Sequence, residues 1–362
     1  MKTRYTFLWV TLYMLVVSCS KSDPPEGVNK IRFEADKIIC ENCDAFGFEI
    51  EVYQNTIFVG GSKKVWVFEK SDTAIDLIQE FDIVESLWLT SMKFVNGKLL
   101  LGCSYDSGMG TLLQYTKNGS RWEFELKYEK GRRQDYFGND MDFSNNYLVV
   151  GASAIWDESF SEPNVDPGSM HIFSKDGNNW SFTQDFYAEN SQADDFFGQD
   201  VSIWNNFILT GSISTPLHLY QLENGTWTLL RTESEMQTAD LAHYEDVFLY
   251  YSEFLGLQSF RLALDGSFET INVNTNFQLS ADIRFDEDNI SMVAGYALMS
   301  PFEGEEAYLI QLINNEWTFR ETIAPNIAES FQIIGTKLTN NQVLIGAAGN
   351  ESRNSYLIFV DY

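Results

Sequence analysis

Three stretches of this sequence read GFEIEVYQNTIFVG (47–60), GNDMDFSNNYLVVG (138–151) and GQDVSIWNNFILTG (198–211). A phenylalanine precedes each stretch, and each ends in a glycine thirteen residues after its first glycine. Inside each, alternating residues lead to a short Asn-containing turn and then to an apolar run. This pattern is typical of two antiparallel strands joined by a tight turn. Its recurrence indicates a repeat protein.

A second pattern follows the first in four places. A large apolar residue is followed seven residues later by a tryptophan, with turn residues between them. The pairs are Tyr115 and Trp122, Phe173 and Trp180, Tyr220 and Trp227, and Ile310 and Trp317. We interpret this as a second hairpin, so that one unit has four strands and about 45 residues. Weaker copies of the first hairpin, at 89–102, 240–252, 282–295 and 333–346, bring the predicted units to seven.

The last unit lacks a fourth strand, and a matching strand lies near the other end of the chain. Residues 355–360 are its predicted third strand, and 29–38 stand before Phe46-Gly47 as 180–188 stand before Phe197-Gly198. A ring closed by that strand has no open sheet edge. We therefore predict an all-β fold over 29–362, a seven-bladed β-propeller of four-stranded antiparallel blades. Two β-sandwiches are the alternative, but they do not account for a permuted final repeat.

The repeats are similar to those of a known family. Phe-Gly, a hairpin and then Val150-Gly151-Ala152 resembles the FG-GAP repeat of the N-terminal β-propeller of integrin α-subunits, and Ile345-Gly346-Ala347 is similar. The resemblance implies a propeller that adheres to or binds another molecule. The family's calcium loop, with alternating Asp and Asn closed by glycine, is missing, as is the proline of the motif. Calcium is compatible with the family, but without this loop we predict no cofactor and no metal.

The first eighteen residues have the features of a lipoprotein signal peptide. Lys2 and Arg4 form a basic start, and residues 7–17 form an apolar run too short for a membrane-spanning helix. Val16-Val17-Ser18-Cys19 resembles the bacterial lipobox, which implies acylation of Cys19. Residues 19–28 are then a polar tether. Ser20 after the cysteine favours the outer membrane of a Gram-negative bacterium, facing the periplasm or the exterior.

Composition excludes some partners. The 362 residues carry 24 Lys and Arg against 52 Asp and Glu, a net charge of −28. Nucleic acid and anionic lipid surfaces would repel such a chain, so we expect no nucleic-acid partner. We also expect the protein to be a monomer. With three histidines, a His-rich metal site is not expected.

The cysteines and histidines are the first candidates for chemistry. Cys40 and Cys43 form a CxxC motif without a second ligand pair or a helical period, so we predict a local disulfide rather than a zinc or redox site. His171 and His218 occupy equivalent third-strand positions, which indicates packing. His243 stands in a first hairpin and is a candidate for the central channel. No catalytic motif is evident.

Loop length points to a ligand face. The loop between strands two and three is long in the unit that contains Trp156, and this loop emerges beside the connections between units. Binding residues on a rigid scaffold are often on such loops. The candidate ligand face comprises Trp156, Asp157, Glu158, Phe160, Glu162, Asp166, Arg132, Arg133, Tyr105 and Phe302.

These observations leave three hypotheses of function. The first is a lipid-anchored propeller that binds a protein or glycan through the ligand face. The second is an envelope enzyme acting on polysaccharide with acids at the channel mouth. The third is a structural subunit of an envelope complex.

Overall fold

The computed structural model of the protein describes residues 30–71, 73–104, 109–130, 136–153, 168–187, 195–238, 240–252, 255–274, 290–301, 304–350 and 353–362. The predicted signal peptide, Cys19 and the tether lie outside these ranges. Within them the chain is almost entirely β-strand, with a short 3-10 turn at Val84–Ser86. The described ranges contain no helix that is long and apolar enough to cross a membrane.

The strands alternate with tight turns and longer connections. In chain order they are β1 (Lys30–Phe33), β2 (Lys37–Glu41), β3 (Glu49–Tyr53), β4 (Thr56–Gly60), β5 (Lys64–Lys70), β6 (Ile75–Asp82), β7 (Ser91–Val95), β8 (Lys98–Cys103), β9 (Thr111–Asn118), β10 (Arg121–Tyr128), β11 (Phe137–Ser144), β12 (Tyr147–Ala152), β13 (Ser169–Asp176), β14 (Asn179–Phe186), β15 (Asp200–Trp204), β16 (Phe207–Gly211), β17 (Leu217–Glu223), β18 (Thr226–Glu233), β19 (Asp240–Tyr244), β20 (Val247–Ser252), β21 (Gly256–Leu262), β22 (Phe268–Val273), β23 (Ile290–Val293), β24 (Tyr296–Met299), β25 (Ala307–Ile313), β26 (Glu316–Ile323), β27 (Phe331–Leu338), β28 (Gln342–Gly349) and β29 (Asn354–Asp361).

The described strands form six sheets. Four are four-stranded antiparallel meanders, β3–β6, β7–β10, β11–β14 and β15–β18. An eight-stranded sheet holds two further meanders, β19–β22 and β23–β26, whose outer strands β22 and β26 pair in parallel. The last sheet has the order β1-β2-β29-β28-β27. The fold is therefore all-β and β-propeller-like, although the sheets are not the seven separate four-stranded sheets that the sequence predicts.

The N-terminal region completes the last sheet, but the strand that does so lies further along the chain than the predicted 29–38. β2 pairs antiparallel with β29, from Lys37 opposite Ile358 to Glu41 opposite Asn354. β1 folds back on the outside of β2 and gives the sheet a fifth strand. The prediction of a single closing strand over 29–38 is therefore wrong. Burial explains the difference, because Cys40 of β2 is fully buried whereas Phe33 of β1 is 49% exposed.

The first strands of successive meanders contact one another around a central channel. β3 contacts β7, β7 contacts β11, and β11 contacts β15. The contacts continue through β19 and β23 to β27, and β27 in turn contacts β3. Apolar clusters fill the space between neighbouring sheets, for example where Phe58 of β4 packs edge-on against Trp122 of β10.

The recurring glycines meet between sheets. The glycine of a Phe-Gly pair lies against a glycine in the second strand of the preceding sheet. The contacts are Gly138 with Gly102, Gly198 with Gly151, and Gly47 with Gly346. A Cβ atom added at Gly102, Gly151 or Gly346 would lie closer than 3.0 Å to backbone atoms of the partner, which real Cβ atoms essentially never do. Only glycine allows the two backbones to approach this closely.

The phenylalanine of each pair packs inside its own sheet. Phe46, Phe137 and Phe197 are fully buried. Their rings meet a third-strand side chain edge-on. The contacts are Phe46 with Trp66 at 5.0 Å, Phe137 with His171 at 5.1 Å, and Phe197 with His218 at 5.3 Å between ring centroids. The aromatic ring therefore fixes the turn to its own sheet while the glycine fixes it to the neighbour.

The outer strands are joined at the tryptophan that opens the fourth strand. Gln79 of β6 brackets the backbone of Trp122, accepting from its N–H at 2.7 Å and donating to its carbonyl at 2.9 Å. Gln184 of β14 brackets Trp227 in the same way, at 3.2 and 3.0 Å. At Trp317 the backbone of β22 replaces the glutamine, since the N–H of Asn274 donates to the Trp317 carbonyl at 2.9 Å. This direct pairing is why two meanders merge into one eight-stranded sheet.

We predict that Gly151→Ala destabilises the protein strongly. Its methyl group would meet the carbonyl oxygen of Gly198, so the two sheets would have to separate, at a cost of about 3 kcal/mol. Thermal unfolding followed by circular dichroism would show this as a lower midpoint. Gly177→Ala is the matched control. Its turn has φ +61° and open space around the added methyl, so we expect a loss of only about 1 kcal/mol. Equal losses in the two variants would contradict the role of the close glycine contact.

Candidate functional site

The central channel is lined largely by polar and charged residues. Two adjoining cavities, of about 110 and 180 Å³, are lined by residues from β3, β7, β11, β15, β19, β23 and β27, together with Phe48 just before β3. Both cavities are bordered by Lys93, Asp140 and Lys337. They are smaller than the 300 Å³ or so at which typical small-molecule sites begin.

Charged side chains line the channel in two layers. Near the start of the first strands lies a layer of carboxylates from Glu49, Asp140, Asp200 and Asp240. Two residues further along these strands lies a mixed layer that contains Glu51, Lys93 and Asp142. Lys337 and His243 reach this second layer from β27 and β19. The channel is therefore acidic at one end and charge-paired deeper inside.

The carboxylates of β11 satisfy the exposed edge of β15. The N–H of Val201 donates to Asp140 Oδ2 at 2.8 Å, and the N–H of Ile203 donates to Asp142 Oδ2 at 2.9 Å. One step further, the N–H of Asn205 donates to Ser144 Oγ at 3.2 Å. First strands expose an unpaired row of backbone groups to the channel, and these side chains provide the partners. Two of the acids therefore have a structural role.

Asp142 is the centre of the mixed layer. Lys93 Nζ lies 3.6 Å from Asp142 Oδ1, and His243 Nε2 lies 3.0 Å from Asp142 Oδ2. Burial acts to raise the pKa of the Asp142 carboxyl, but the charge of Lys93 and the hydrogen bond from His243 outweigh it and lower this pKa to about 2. On the other side of the channel Lys337 Nζ donates to Glu51 Oε2. The described cations of this layer are thus each held by a carboxylate.

His243 is held in its charged form. Its Nε2 faces the Asp142 carboxylate, and its Nδ1 faces the carbonyl oxygen of Glu245 at 3.0 Å. Two acceptors require two N–H donors, which only the imidazolium provides. Burial lowers the pKa of His243, but Asp142 and the Glu245 carbonyl raise it more, so the pKa lies above its ordinary value of 6.5. The ring stacks on buried Phe248, with centroids 5.0 Å apart.

This arrangement is poorly suited to acid–base catalysis. A general base needs a free lone pair within reach of the substrate, whereas both ring nitrogens of His243 are bound. Of the other histidines, His171 Nε2 lies 2.9 Å from Ser169 Oγ and its ring packs against Phe137. His218 Nδ1 faces the carbonyl of Pro216 at 2.8 Å, and burial lowers the pKa of His218. The described histidines therefore pack or pair.

A second candidate site is the face on which connections and second-to-third-strand loops meet. Hydrogen bonds join the two kinds of segment: Ser62 N–H to the Asp44 carbonyl at 3.1 Å, Leu89 N–H to Ser62 at 2.8 Å, and Thr238 N–H to Ser212 at 3.0 Å. We call this surface the connection face. Its described segments include 42–48, 61–63, 83–90, 212–216, 234–238, 300–301, 304–306, 324–330 and 350 with 353. The opposite surface, which carries the hairpin turns, is the turn face.

The residues of the predicted ligand face lie outside the described residues. These are Trp156, Asp157, Glu158, Phe160, Glu162, Asp166, Arg132, Arg133, Tyr105 and Phe302. Among described residues of the connection face, Trp88 is 49% exposed between two buried leucines, and Lys63 Nζ lies 5.0 Å from the centre of its ring. Met109 and Leu255 are also exposed there.

A shallow cavity of about 360 Å³ lies on the connection face beside the predicted disulfide. Asn42, Cys43, Asp44, Arg353 and Ser355 are among its lining residues. Cys40 and Cys43 are joined by a disulfide, with their Cα atoms 5.6 Å apart. The bridge ties the end of β2 to the connection that leads into β3. Cys103 is a buried free cysteine.

The paired channel residues carry no sequence motif. A signal for some of them exists, because Glu51, Lys93 and Asp142 each stand two residues before the end of a first strand. Aligning first strands at their turns would have placed these three side chains in one layer. The partner relation between Asp142 and His243 has no such signal, since 101 residues separate them and the imidazole reaches past β15.

Comparison with known proteins identifies the fold alone. No protein-family model matches the sequence, and no curated protein matches it. Among solved structures, a chain of the mitotic checkpoint complex is similar with TM-score 0.57 and 12% identity, over 94% of this chain and 98% of that one. The computationally designed Ika8 protein is similar with TM-score 0.53 and 11% identity, over 87% and 96%. A functionally unknown protein from Desulfotomaculum acetoxidans DSM 771 gives 0.58 and 10%, over 82% and 95%.

We predict that His243→Gln removes a pH dependence of stability. Because the folded pKa of His243 lies above the unfolded value near 6.5, its stabilisation is complete below about pH 6.5 and is lost as the pH rises through the folded pKa. The thermal midpoint of the parent protein should therefore fall on the alkaline side, and that of the variant should fall less. The comparison is made from pH 5 to pH 9.

His218→Gln is the matched control. The folded pKa of His218 is lowered, so its contribution is lost as the pH falls below about 6.5. This variant should change the acid side of the profile and leave the alkaline side as it is. An alkaline fall of the same size in His243→Gln and the parent protein would show that the imidazolium does not stabilise the channel.

Proposed function

We propose that this protein is a seven-bladed β-propeller, anchored by acylated Cys19 at the outer membrane of a Gram-negative bacterium, facing either the periplasm or the exterior. In this proposal it is a non-enzymatic scaffold that binds a protein or a glycan through the connection face. One observation carries the binding function. The described cations of the channel are paired with its own carboxylates, whereas the connection face exposes Trp88, 49% accessible, with Lys63 over its ring.

The count of seven blades is supported by the contacts between sheets. Each of the two meanders in the eight-stranded sheet has its own first strand in the circuit that runs from β3 to β27. The contact of Gly47 with Gly346 also relates the last sheet to the first as Gly138 with Gly102 relates two neighbours inside the chain. The seven first strands of this circuit therefore support a count of seven blades.

The same contacts give a structural reason for the residues that resemble the FG-GAP repeat. The residue types that carry the resemblance are phenylalanine, glycine and the second-strand glycine. These are the residues that meet at the junction between one sheet and the next. This supports kinship at the level of the repeat, and it makes adhesion or binding the family function to test first.

The connection face has the features of a binding surface. Trp is frequent among residues that dominate the energy of protein interfaces, and Trp88 is half-exposed on a connection whose flanking leucines are buried. Lys63 over its ring adds a cation. The cavity beside Arg353 adds a concave surface on the same face. Loops presented by a rigid scaffold suit recognition better than chemistry when no nucleophile and base are brought together.

An envelope enzyme acting on polysaccharide is the second candidate. The layer of carboxylates at the channel mouth favours it, because glycoside hydrolysis uses paired acids. The small cavities and the bound nitrogens of His243 are against it. Turnover on a panel of polysaccharides that disappears in Asp142→Asn or His243→Gln, with the fold retained, would establish this alternative.

The binding function is tested by variants that should lose the partner while the protein stays folded. Replacing residues 154–166 with a short turn, or Trp88 with Ala, should leave a cooperative thermal transition but lower the capture of an envelope protein or glycan at least about tenfold, as for hot-spot truncation. Quantitative pull-downs from envelope extract and a glycan array provide the measurement. Leu264→Ala is the matched control, because Leu264 is 71% exposed on the turn face. Capture that survives both connection-face variants would overturn this surface assignment.

A further inference from the structure

The first described strand determines on which face the chain leaves the fold toward Cys19. β1 begins at Lys30, opposite Glu41, the last residue of β2. Arg32 Nε, further along β1, lies 2.8 Å from a Glu41 carboxylate oxygen. Immediately after Glu41, the N–H of Asn42 donates to the carbonyl of Arg353 at 2.9 Å, and both residues belong to the connection face. The chain before Lys30 therefore departs from the connection face, at the outer edge of the last sheet.

The chain between Cys19 and Lys30 is short. Eleven residue steps reach at most about 40 Å when fully extended, and a Gly/Ser-like coil of this length averages about 18 Å end to end. The opposite face is further away by the height of a blade, about 25 Å for an eight-residue strand. Because the average span is shorter than the blade, an anchor at Cys19 favours the connection face near the membrane, and only a tether stretched beyond its average would bring the turn face there.

We infer that the connection face is directed toward the membrane that holds the lipid anchor, and that its partner is an integral protein of that membrane. This inference depends on the proposed anchor at Cys19. A partner in the narrow space between the propeller and the bilayer has to be presented by the bilayer itself. A membrane protein with short loops at the membrane surface meets this condition.

The charge of the chain indicates a protein partner with basic loops rather than the lipid surface. The net charge of −28 is repelled by anionic headgroups. Exposed charged residues on described parts of the connection face include the carboxylates Asp44, Glu85, Glu129, Glu235, Glu305 and Glu306 and the cations Lys63, Lys130 and Arg353, and Lys127 pairs with Glu85 and Glu129. Electrostatic complementarity therefore favours a partner whose membrane-proximal loops carry Lys and Arg.

Energy transfer in vesicles tests the orientation. Leu255 lies on the connection face and Leu264 on the turn face, between strands of the same meander, and both are exposed. Leu255→Cys and Leu264→Cys can each be labelled selectively, because Cys40 and Cys43 are disulfide-bonded and Cys103 is buried. The acylated protein is placed in phosphatidylethanolamine–phosphatidylglycerol vesicles that contain a headgroup acceptor dye. We expect transfer from residue 255 to be at least twofold higher than from residue 264.

The outcomes separate the orientation from the anchor. Flotation with the vesicles and equal or reversed transfer would overturn the orientation and leave the anchor standing. Failure to float, with Cys19→Ala behaving like the parent protein, would overturn the lipid anchor and the orientation with it.

A crosslink tests the partner. A photoreactive amino acid at residue 88, and at residue 264 as control, is activated in intact cells that carry a protease site inside residues 20–29. After the anchor is cut, an adduct formed from residue 88 alone should stay in the membrane fraction through a carbonate wash. An adduct released by the cut would identify a soluble partner and overturn the inference. Adducts of equal yield from both residues, or none from residue 88, would overturn it too.

Discussion

The close approach of two glycine backbones between neighbouring sheets is the constraint on which the rest of this structure depends. Gly151 against Gly198 leaves no room for a methyl group. The sheets can therefore approach until the first strands line one channel and the apolar faces of the sheets interlock. The buried phenylalanine beside each Phe-Gly glycine holds the turn to its own sheet. One dipeptide thus sets the spacing of two blades.

The outer ends of the sheets are joined less uniformly than the inner ends. A glutamine side chain brackets the tryptophan backbone at Trp122 and Trp227, a tyrosine hydroxyl accepts from Trp180, and the main chain itself takes this place at Trp317. The three glycine junctions are governed by backbone sterics, whereas the side chains of Leu89 and Thr238 lie against Gly60 and Gly211 at the equivalent positions. The contacts between outer strands need only a hydrogen-bonding group level with the tryptophan backbone. Glutamine and tyrosine side chains both provide one.

The fold could be predicted from the sequence because its defining signals are local. Thirteen-residue glycine spacing, Asn turns and the position of Trp122 each identify a hairpin within one repeat. The sequence predicts the closing strand over the wrong residues, because β1 and β2 both have strand-like composition. Only the burial of Cys40 against the exposure of Phe33 separates them. The pairing of Asp142 with His243 could not be predicted, since it depends on the width of the channel. The loops predicted to bind a ligand lie outside the described residues, so that part of the prediction stays open.

The partnership of β2 with β29 means that the ring is joined by two strands that lie far apart along the chain, so β2 is synthesised long before its partner. Until β29 exists, Ile38 and Cys40 have no sheet to enter, and β2 offers unsatisfied N–H and C=O groups to any chain it meets. A chain that stops before residue 354 therefore cannot close the ring. It leaves an unpaired strand edge that can associate with other chains. Chaperones and proteases can act on such an edge, so completion of the ring also distinguishes finished molecules from unfinished ones.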